Sequence, residues 1–268
     1  SEKVCAECGG EKKRIGEKIT EQLEYAPASL FVIDHIQAVY ACPCCQGGVT
    51  VAPKPAQPIE KGLPGPGLLA HVVVSKYADH LPLYRQEGIL ARHGVALSRK
   101  TLCDWVMASA NILEPVAELM KTRLLASKII HTDDTPVTVR SPGKEGTHQG
   151  RFWVYLGDGG HPYAVYDYTP SRRRDGPAAF LETFTGSDEH PRYLQADAFG
   201  GYDGIFAADN GVKEVACWAH ARRKFHDARS SDVNRAHRML AWIRRLYEIE
   251  REAKDLDADM RCALRKDN

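Results

Sequence analysis

Four absences narrow the reading. The 268 residues carry a formal net charge of +1, 36 Lys and Arg against 35 Asp and Glu, so no global excess of positive charge marks the chain for nucleic acid. Any such signal must be local. No uncharged apolar run approaches the ~18 residues that a membrane-crossing helix needs. No basic-then-apolar leader opens the chain, and no internal repeat runs through it. What is present, 43% hydrophobic and 26% charged residues, suffices for the cores of two domains or three small ones. Ser1 is not a natural start and Asn268 closes a charged helical stretch, so the sequence reads as a fragment of a longer protein, and the missing leader carries little weight.

Cysteine is unevenly spread. Of eight, Cys5, Cys8, Cys42, Cys44 and Cys45 crowd into two tight groups, and Cys103, Cys217 and Cys262 are scattered. Two-residue spacing favours metal over disulfides, and with it a reducing compartment. Zn²⁺ takes four soft ligands in a tetrahedron, and one Cys-x-x-Cys turn supplies two sulfurs. Cys5-x-x-Cys8 and Cys42-x-x-Cys45 make up the set. The spacer between them exceeds the usual ~15–20 residues and suits a ribbon with a hairpin between the knuckles. Cys44 competes with Cys45, and the spacing favours Cys45. The competing readings are unpaired thiols, or a disulfide in an exported protein. Four thiolates leave no open coordination position, so the site is structural.

The chain divides by pattern into five segments: a zinc-binding unit at 1–52, a Pro/Gly linker at 53–67, a helical region at 68–127, an α/β part at 128–218 and a charged helical part at 219–268. In the first unit, 31–40 (FVIDHIQAVY) alternates like a half-exposed strand, and 17–25 is a weaker strand or short helix. The linker is too dense in Pro and Gly for a regular element. In the helical region one helix ends at Gly94 and another opens at Ser98, a plausible N-cap, with Pro115 set to kink it or start a new one. Strands are expected at 129–139, 152–156, 163–168, 193–197 and 214–218, with a turn at 141–150 and a helix at 176–184.

The helices flanking Gly94 form a helix-turn-helix candidate. Arg99 and Lys100 lie at the N-terminus of the second, where a recognition helix contacts DNA. The bland alternative is a structural hairpin with solvated basic ends. The run CWAHARRKFHDARSS adds Arg222, Arg223, Lys224, His226 and Arg229, which neutralise phosphates or decorate a solvated face. Cys217-x-x-His220 is half a metal site without a visible second half, and a structural role fits it better. SRRRDG at 171–176 is a basic turn with the same two readings.

The sharpest signal is acidic. Asp133 and Asp134 are adjacent on a strand, so they face opposite sides and only one can serve a given site. Asp197 ends the alternating run YLQAD. Two carboxylates brought together hold divalent ions about 3.5–4 Å apart, which clamp the attacking and leaving oxygens of a phosphodiester. This requires Asp133 and Asp197 to be neighbours at the centre of a mixed sheet and Asp134 to point away. The alternative is a turn acid and a strand-end cap, which Asp203 fits better than Asp197.

At this point the residues resemble a known family. The two knuckles, KGLPGPGLLAHVVVSKYADHLPLYRQEGILARHGVALSRKTLCDWV, HTDDTPVTV, GRFWVYLGD, YLQADAFGGYDGIF and CWAHARRKFHDA, in that order, resemble the transposases of the insertion-sequence 66 family, a branch of the DDE transposases. The resemblance implies a small zinc-ribbon-like N-terminal domain, an all-α helix-turn-helix-like DNA-binding region and an α/β RNase H-like core with a helical insertion. It implies Mg²⁺ or Mn²⁺ held by Asp133 and Asp197, structural Zn²⁺, terminal inverted repeats and target DNA as partners, self-association on DNA, no membrane, and a bacterial cytoplasmic setting. Asp133 and Asp197 match the family's first two catalytic acids. The next position, commonly Glu, is Asp134 here. The family's third acid follows a run rich in Asn and Ala that does not occur in this chain. Glu248, Glu250 and Glu252 fall within the inserted helices, and none earns the assignment. The expected function is therefore metal-dependent DNA cleavage and strand transfer at insertion-sequence ends. The alternatives are a catalytically inactive DNA-binding module and an RNase H-like nuclease without strand transfer.

Overall fold

The structure is a computed structural model and describes residues 5, 7–11, 13, 16–24, 29–45, 47–60, 62–141 and 146–267. The chain forms two compact units, Ser1–Ala110 and Asn111–Asn268.

In the first unit, β1 (Val39–Tyr40) and β2 (Thr50–Val51) pair antiparallel, Val39 opposite Val51. The Ala52 N–H donates to the Ala38 carbonyl and extends the ladder by one bond. The strand expected over 31–40 is thus confined to its last two residues. Phe31, Val32 and Ile36 are exposed, and among the described residues nothing packs over them. Residues 17–24 of the other expected element have no regular structure, and Tyr25 lies outside the described residues.

Three helices follow. Pro64 and Gly65 lead into α1 (Pro66–Tyr77), with Pro in its first turn, where the missing N–H is not needed. Helix α2 (Leu83–Arg92) ends at His93, and Gly94 follows at φ +80°, a left-handed conformation that glycine adopts without penalty. Ser98 then caps α3 (Arg99–Leu125): its hydroxyl accepts the Thr101 N–H at 3.1 Å. Leu69, Val72, Leu83, Leu90, Leu102 and Trp105 form one buried cluster. Gln86 is buried with them, and its side-chain amide donates to the carbonyls of Val72 and Leu81. Helix α3 continues through Pro115, and the division between the units falls within it.

The second unit is built on a five-stranded mixed sheet. Its strands are β3 (Ile129–Arg140), β4 (Thr147–Leu156), β5 (Ala164–Thr169), β6 (Arg192–Ala196) and β7 (Val212–Ala216), in the spatial order β5-β4-β3-β6-β7. Neighbours β3, β4 and β5 run antiparallel. Strand β6 is parallel to β3, and β7 to β6. Strand β4 starts at Thr147, earlier than expected, because THQGR pairs with the end of β3: Arg140 lies opposite Thr147. The short helix α4 (Asp175–Phe180) joins β5 to β6. It stops four residues before the expected end, and Leu181 and Phe184 are buried beyond it. Ile130, Trp153, Tyr155, Leu194 and Ala196 line the buried side of the sheet against Phe180, Leu181, Phe184 and Tyr202. The Tyr155 and Phe180 rings stack at 3.7 Å. After β6 come α5 (Asp203–Phe206) and β7, then α6 (Trp218–Asp227), α7 (Val233–Glu252) and α8 (Ala258–Asp267). No helix among the described residues is long and apolar enough to cross a membrane.

Candidate active site

Strands β3 and β6 are adjacent and parallel at the centre of the sheet, and their acids sit where pairing stops. His131 pairs with Gln195. Two residues further along stand Asp133, still on β3, and Asp197, just past the end of β6; neighbouring strands are spaced about 4.8 Å apart. The Asp133 side chain is 53% exposed and that of Asp197 22%. Alternation separates the paired aspartates as expected: Asp134, one residue on, is 1% exposed.

The surroundings of Asp134 correct one expectation. It was to stand clear of Asp197, yet one arginine binds both. Arg172, from the turn between β5 and α4, donates Nε to Asp134 Oδ1 at 2.9 Å and Nη2 to the same oxygen at 2.7 Å. The same Nη2 donates to Asp197 Oδ2 at 2.9 Å. Arg151 on β4 completes the cage, Nη1 to Asp134 Oδ2 at 2.8 Å. Asp197 lies just past the end of β6, so it is no longer held to one side of the pleat. Burial works against the Arg172 charge, but the Asp134 and Asp197 carboxylates outweigh it and raise the Arg172 pKa.

Asp133 has a different neighbour. His220 on α6 brings Nε2 to 3.6 Å from Asp133 Oδ1, and its Nδ1 is buried without a hydrogen-bond partner. Asp133 Oδ1 also accepts the Asp134 N–H at 2.8 Å. Beneath the acids the Tyr202 hydroxyl meets Thr132 at 3.3 Å. Burial raises its pKa, and the charges of Asp197, Asp134 and Asp133 add to the effect. Hard oxygen donors at the end of the central strands, open to solvent at Asp133, suit a hard divalent cation. Among the described residues, no three His, Cys, Asp or Glu side chains converge closely enough to hold a metal ion. The acids therefore offer a partial donor set.

The knuckles are preformed separately. The Gly9 N–H donates to the Cys5 carbonyl, and the Cys5 N–H to that of Gly10. The backbone N–H groups of Glu7 and Cys8 point at the Cys5 sulfur and lower its pKa. Those of Cys45 and Cys44 do the same for Cys42. Cys42–Cys45 sits in the loop between β1 and β2. Each half matches the geometry of a metal knuckle, with donors stabilising thiolate. The structure does not gather three or more of these cysteines into one cluster.

The basic candidates are on the surface. Arg99 is 66% exposed and lies 3.7 Å from Glu87; Lys100 is 84% exposed and pairs with Asp104 at 2.7 Å. Arg222, Arg223 and Lys224 are exposed on α6, which buries none of its residues. On α7, Glu248 is engaged by Arg244, and Glu250 by Arg265 through two bonds of 2.7 Å that lower its pKa. Sequence reasoning missed Arg151 and did not single out Arg172 within SRRRDG. Only the tertiary pairing with Asp134 distinguishes that arginine from its neighbours.

Fold and site together define a multidomain protein that joins a cysteine-knuckle unit and a helical segment to an acid-bearing α/β core. A family profile described as "zinc-finger binding domain of transposase IS66" matches residues 2–46, and one described as "Transposase IS66 family" matches residues 61–268. The chain belongs to the IS66 transposase family. It is 34% identical over 278 residues to "Uncharacterized protein y4qI" of Sinorhizobium fredii (strain NBRC 101917 / NGR234), covering 98% of this chain and 50% of that one. It is 33% identical over 271 residues to "Uncharacterized protein y4jD" of the same organism, covering 97% and 52%. The chain thus spans about half the length of the curated relatives it matches. Among solved structures, a chain of the simian T-cell lymphotropic virus intasome in complex with PP2A regulatory subunit B56 gamma overlays at a TM-score of 0.27. The identity is 12%, over 53% of this chain and 47% of that one, too slight a likeness to bear on fold or function.

Proposed function

We propose that this chain belongs to a DNA transposase that cuts the ends of an insertion sequence and joins them to target DNA. The observation that carries the proposal is the placement of Asp133 on β3 and of Asp197 just past the end of the adjacent, parallel β6. Asp133 is the acid of its pair that reaches solvent and therefore a phosphate backbone; Asp134 is buried and neutralised by two arginines. Asp133 and Asp197 would hold Mg²⁺ or Mn²⁺. Such an ion, when bound, activates water as a nucleophile and offsets charge on the phosphate oxygens. The residues of the chain would bind and orient: Asp133 and Asp197 would hold the ion, with the buried Thr132, Ala196 and Tyr202 packed behind them.

The mixed sheet with acids on its central strands supports an RNase H-like core at 128–218, with 219–268 as a helical insertion. The helices meeting at Gly94 support a helix-turn-helix-like DNA-binding region at 68–127, with 53–67 as linker and 1–52 as the zinc unit. Cys5, Cys8, Cys42 and Cys45 would hold the zinc. DNA contacts are assigned to Arg99, Lys100, Arg222, Arg223 and Lys224, with self-association on paired ends.

The test is metal-dependent cleavage and joining of a duplex carrying the element's end by the longer protein that contains this chain. Cleavage and joining that both vanish in Asp133→Ala and in Asp197→Ala support the proposal. Cleavage without joining would point to a nuclease, and activity that survives either substitution refutes the assignment of the acids.

A further inference from the structure

We infer that Arg172 is a positioning residue for the candidate metal site: it ties Asp197 to the buried Asp134 and so sets which oxygen Asp197 presents. The inference rests on the proposed reading of Asp133 and Asp197 as the metal-holding pair.

The argument begins with the backbone that carries Arg172. Thr169, the last residue of β5, accepts the indole N–H of the buried Trp153 at 2.7 Å. Its hydroxyl donates to the Ser171 carbonyl at 2.8 Å. The residue before Arg172 is therefore pinned to the core of the sheet. The side chain is held along its length as well. Its guanidinium carbon lies 4.0 Å from the centroid of the Phe199 ring, which itself packs against the core. A planar cation on an aromatic face, with its edge on a carboxylate, has little freedom left.

The partners are unequal. Asp134 is 1% exposed and takes three Arg172 contacts, at 2.7, 2.9 and 3.2 Å, plus the bond from Arg151. That pair is a fixed anchor. Asp197 takes a single contact, from Nη2 to Oδ2 at 2.9 Å. Asp197 follows the last residue of β6, so no ladder fixes its side chain. The arginine supplies that restraint and leaves Oδ1 as the oxygen turned to other use. Carboxylates that ligate metals are commonly oriented by such outer partners, and removing the partner costs about 10–100-fold in metal affinity. Removing Arg172 also takes one positive charge from beside Asp197, which alone would favour a cation; the loss of orientation is inferred to outweigh it.

Mn²⁺ binding to the 268-residue chain, read from the loss of the free-ion electron paramagnetic resonance signal, tests the inference. Asp133→Ala and Asp197→Ala are expected to weaken binding. Arg172→Ala is expected to weaken it about 10–100-fold, and Asp134→Asn similarly. The double variant should be no weaker than either single one, because the two residues act as one unit. Arg172→Lys keeps the charge but cannot span both acids, and should fall between wild type and Arg172→Ala. If Arg172→Ala loses its thermal transition, Arg172→Lys decides: weaker Mn²⁺ binding supports the inference, and wild-type binding overturns it. Unchanged or tighter binding in a folded Arg172→Ala, with Asp197→Ala still weak, overturns the inference and leaves the acids as ligands. Binding indifferent to Asp133→Ala and Asp197→Ala overturns both.

Discussion

Replacing Arg99 and Lys100 together by Ala should change how DNA binding responds to salt as well as how strong it is. Both side chains stand in solvent at the start of α3, and neither contributes to the buried helical cluster. The fold should survive the change. On the proposed reading each neutralises one phosphate. A phosphate contact adds about 0.9 to the slope of log affinity against log salt, so the double variant should lose about 1.8. Between 50 and 200 mM salt, that difference shrinks the wild-type advantage about tenfold. The surface pairs temper the gain at low salt, since Lys100 must leave Asp104 and Arg99 must leave Glu87, each exposed pair contributing about 0–1 kcal/mol. Asp104→Ala should therefore strengthen binding modestly. Fluorescence anisotropy with an end-containing duplex at four or five salt concentrations measures both quantities. A variant with the same affinity and the same slope would refute the phosphate contacts and leave these helices a purely structural role.

The purified chain should carry about one zinc, retained in Cys44→Ser and lost in Cys45→Ser; the opposite pattern would reassign the ligand. Because thiolate binds zinc, affinity falls as pH falls. The backbone N–H groups that lower the Cys5 and Cys42 pKa values favour thiolate, so zinc affinity should fall less steeply with acidification through the ordinary thiol range than it does for a peptide of free cysteines. A chelator titration across pH reads this, and an equally steep fall counts against the knuckles. Leu102→Ala, at a fully buried position, should destabilise the helical unit by about 2–5 kcal/mol. Urea denaturation followed by circular dichroism would show it, and a shift under about 1 kcal/mol would mean the site collapses around the deletion.

The legible parts of this chain were those governed by local rules. IIHTDDTPVTV reads as a strand because β-branched residues alternate with polar ones, and Ser98 and Gly94 read as helix punctuation because their roles are set within three residues. The alternation also separated Asp133 from Asp134 correctly. FVIDHIQAVY misled for the converse reason: its period is that of a strand, but pairing extends only to Val39–Tyr40. The start of β4 was missed because THQGR has no apolar face and is a strand only through its partner. The arginines at the acids were invisible for a deeper reason. Arg172 lies 38 residues from Asp134, and nothing in three consecutive arginines says which one turns inward.

The β1–β2 hairpin has a consequence for the order of events in time. Its knuckle closes within a short loop, so Cys42 and Cys45 meet by local contact alone. Cys5 and Cys8 must be brought to them across a spacer whose closure entropy is about 3 kcal/mol. On the zinc reading, each knuckle is a local two-sulfur half-site, and joining the halves is the slower step because it must close the spacer. A chain emerging from the ribosome would display the Cys5–Cys8 half first and could complete the site only once Cys42 and Cys45 follow.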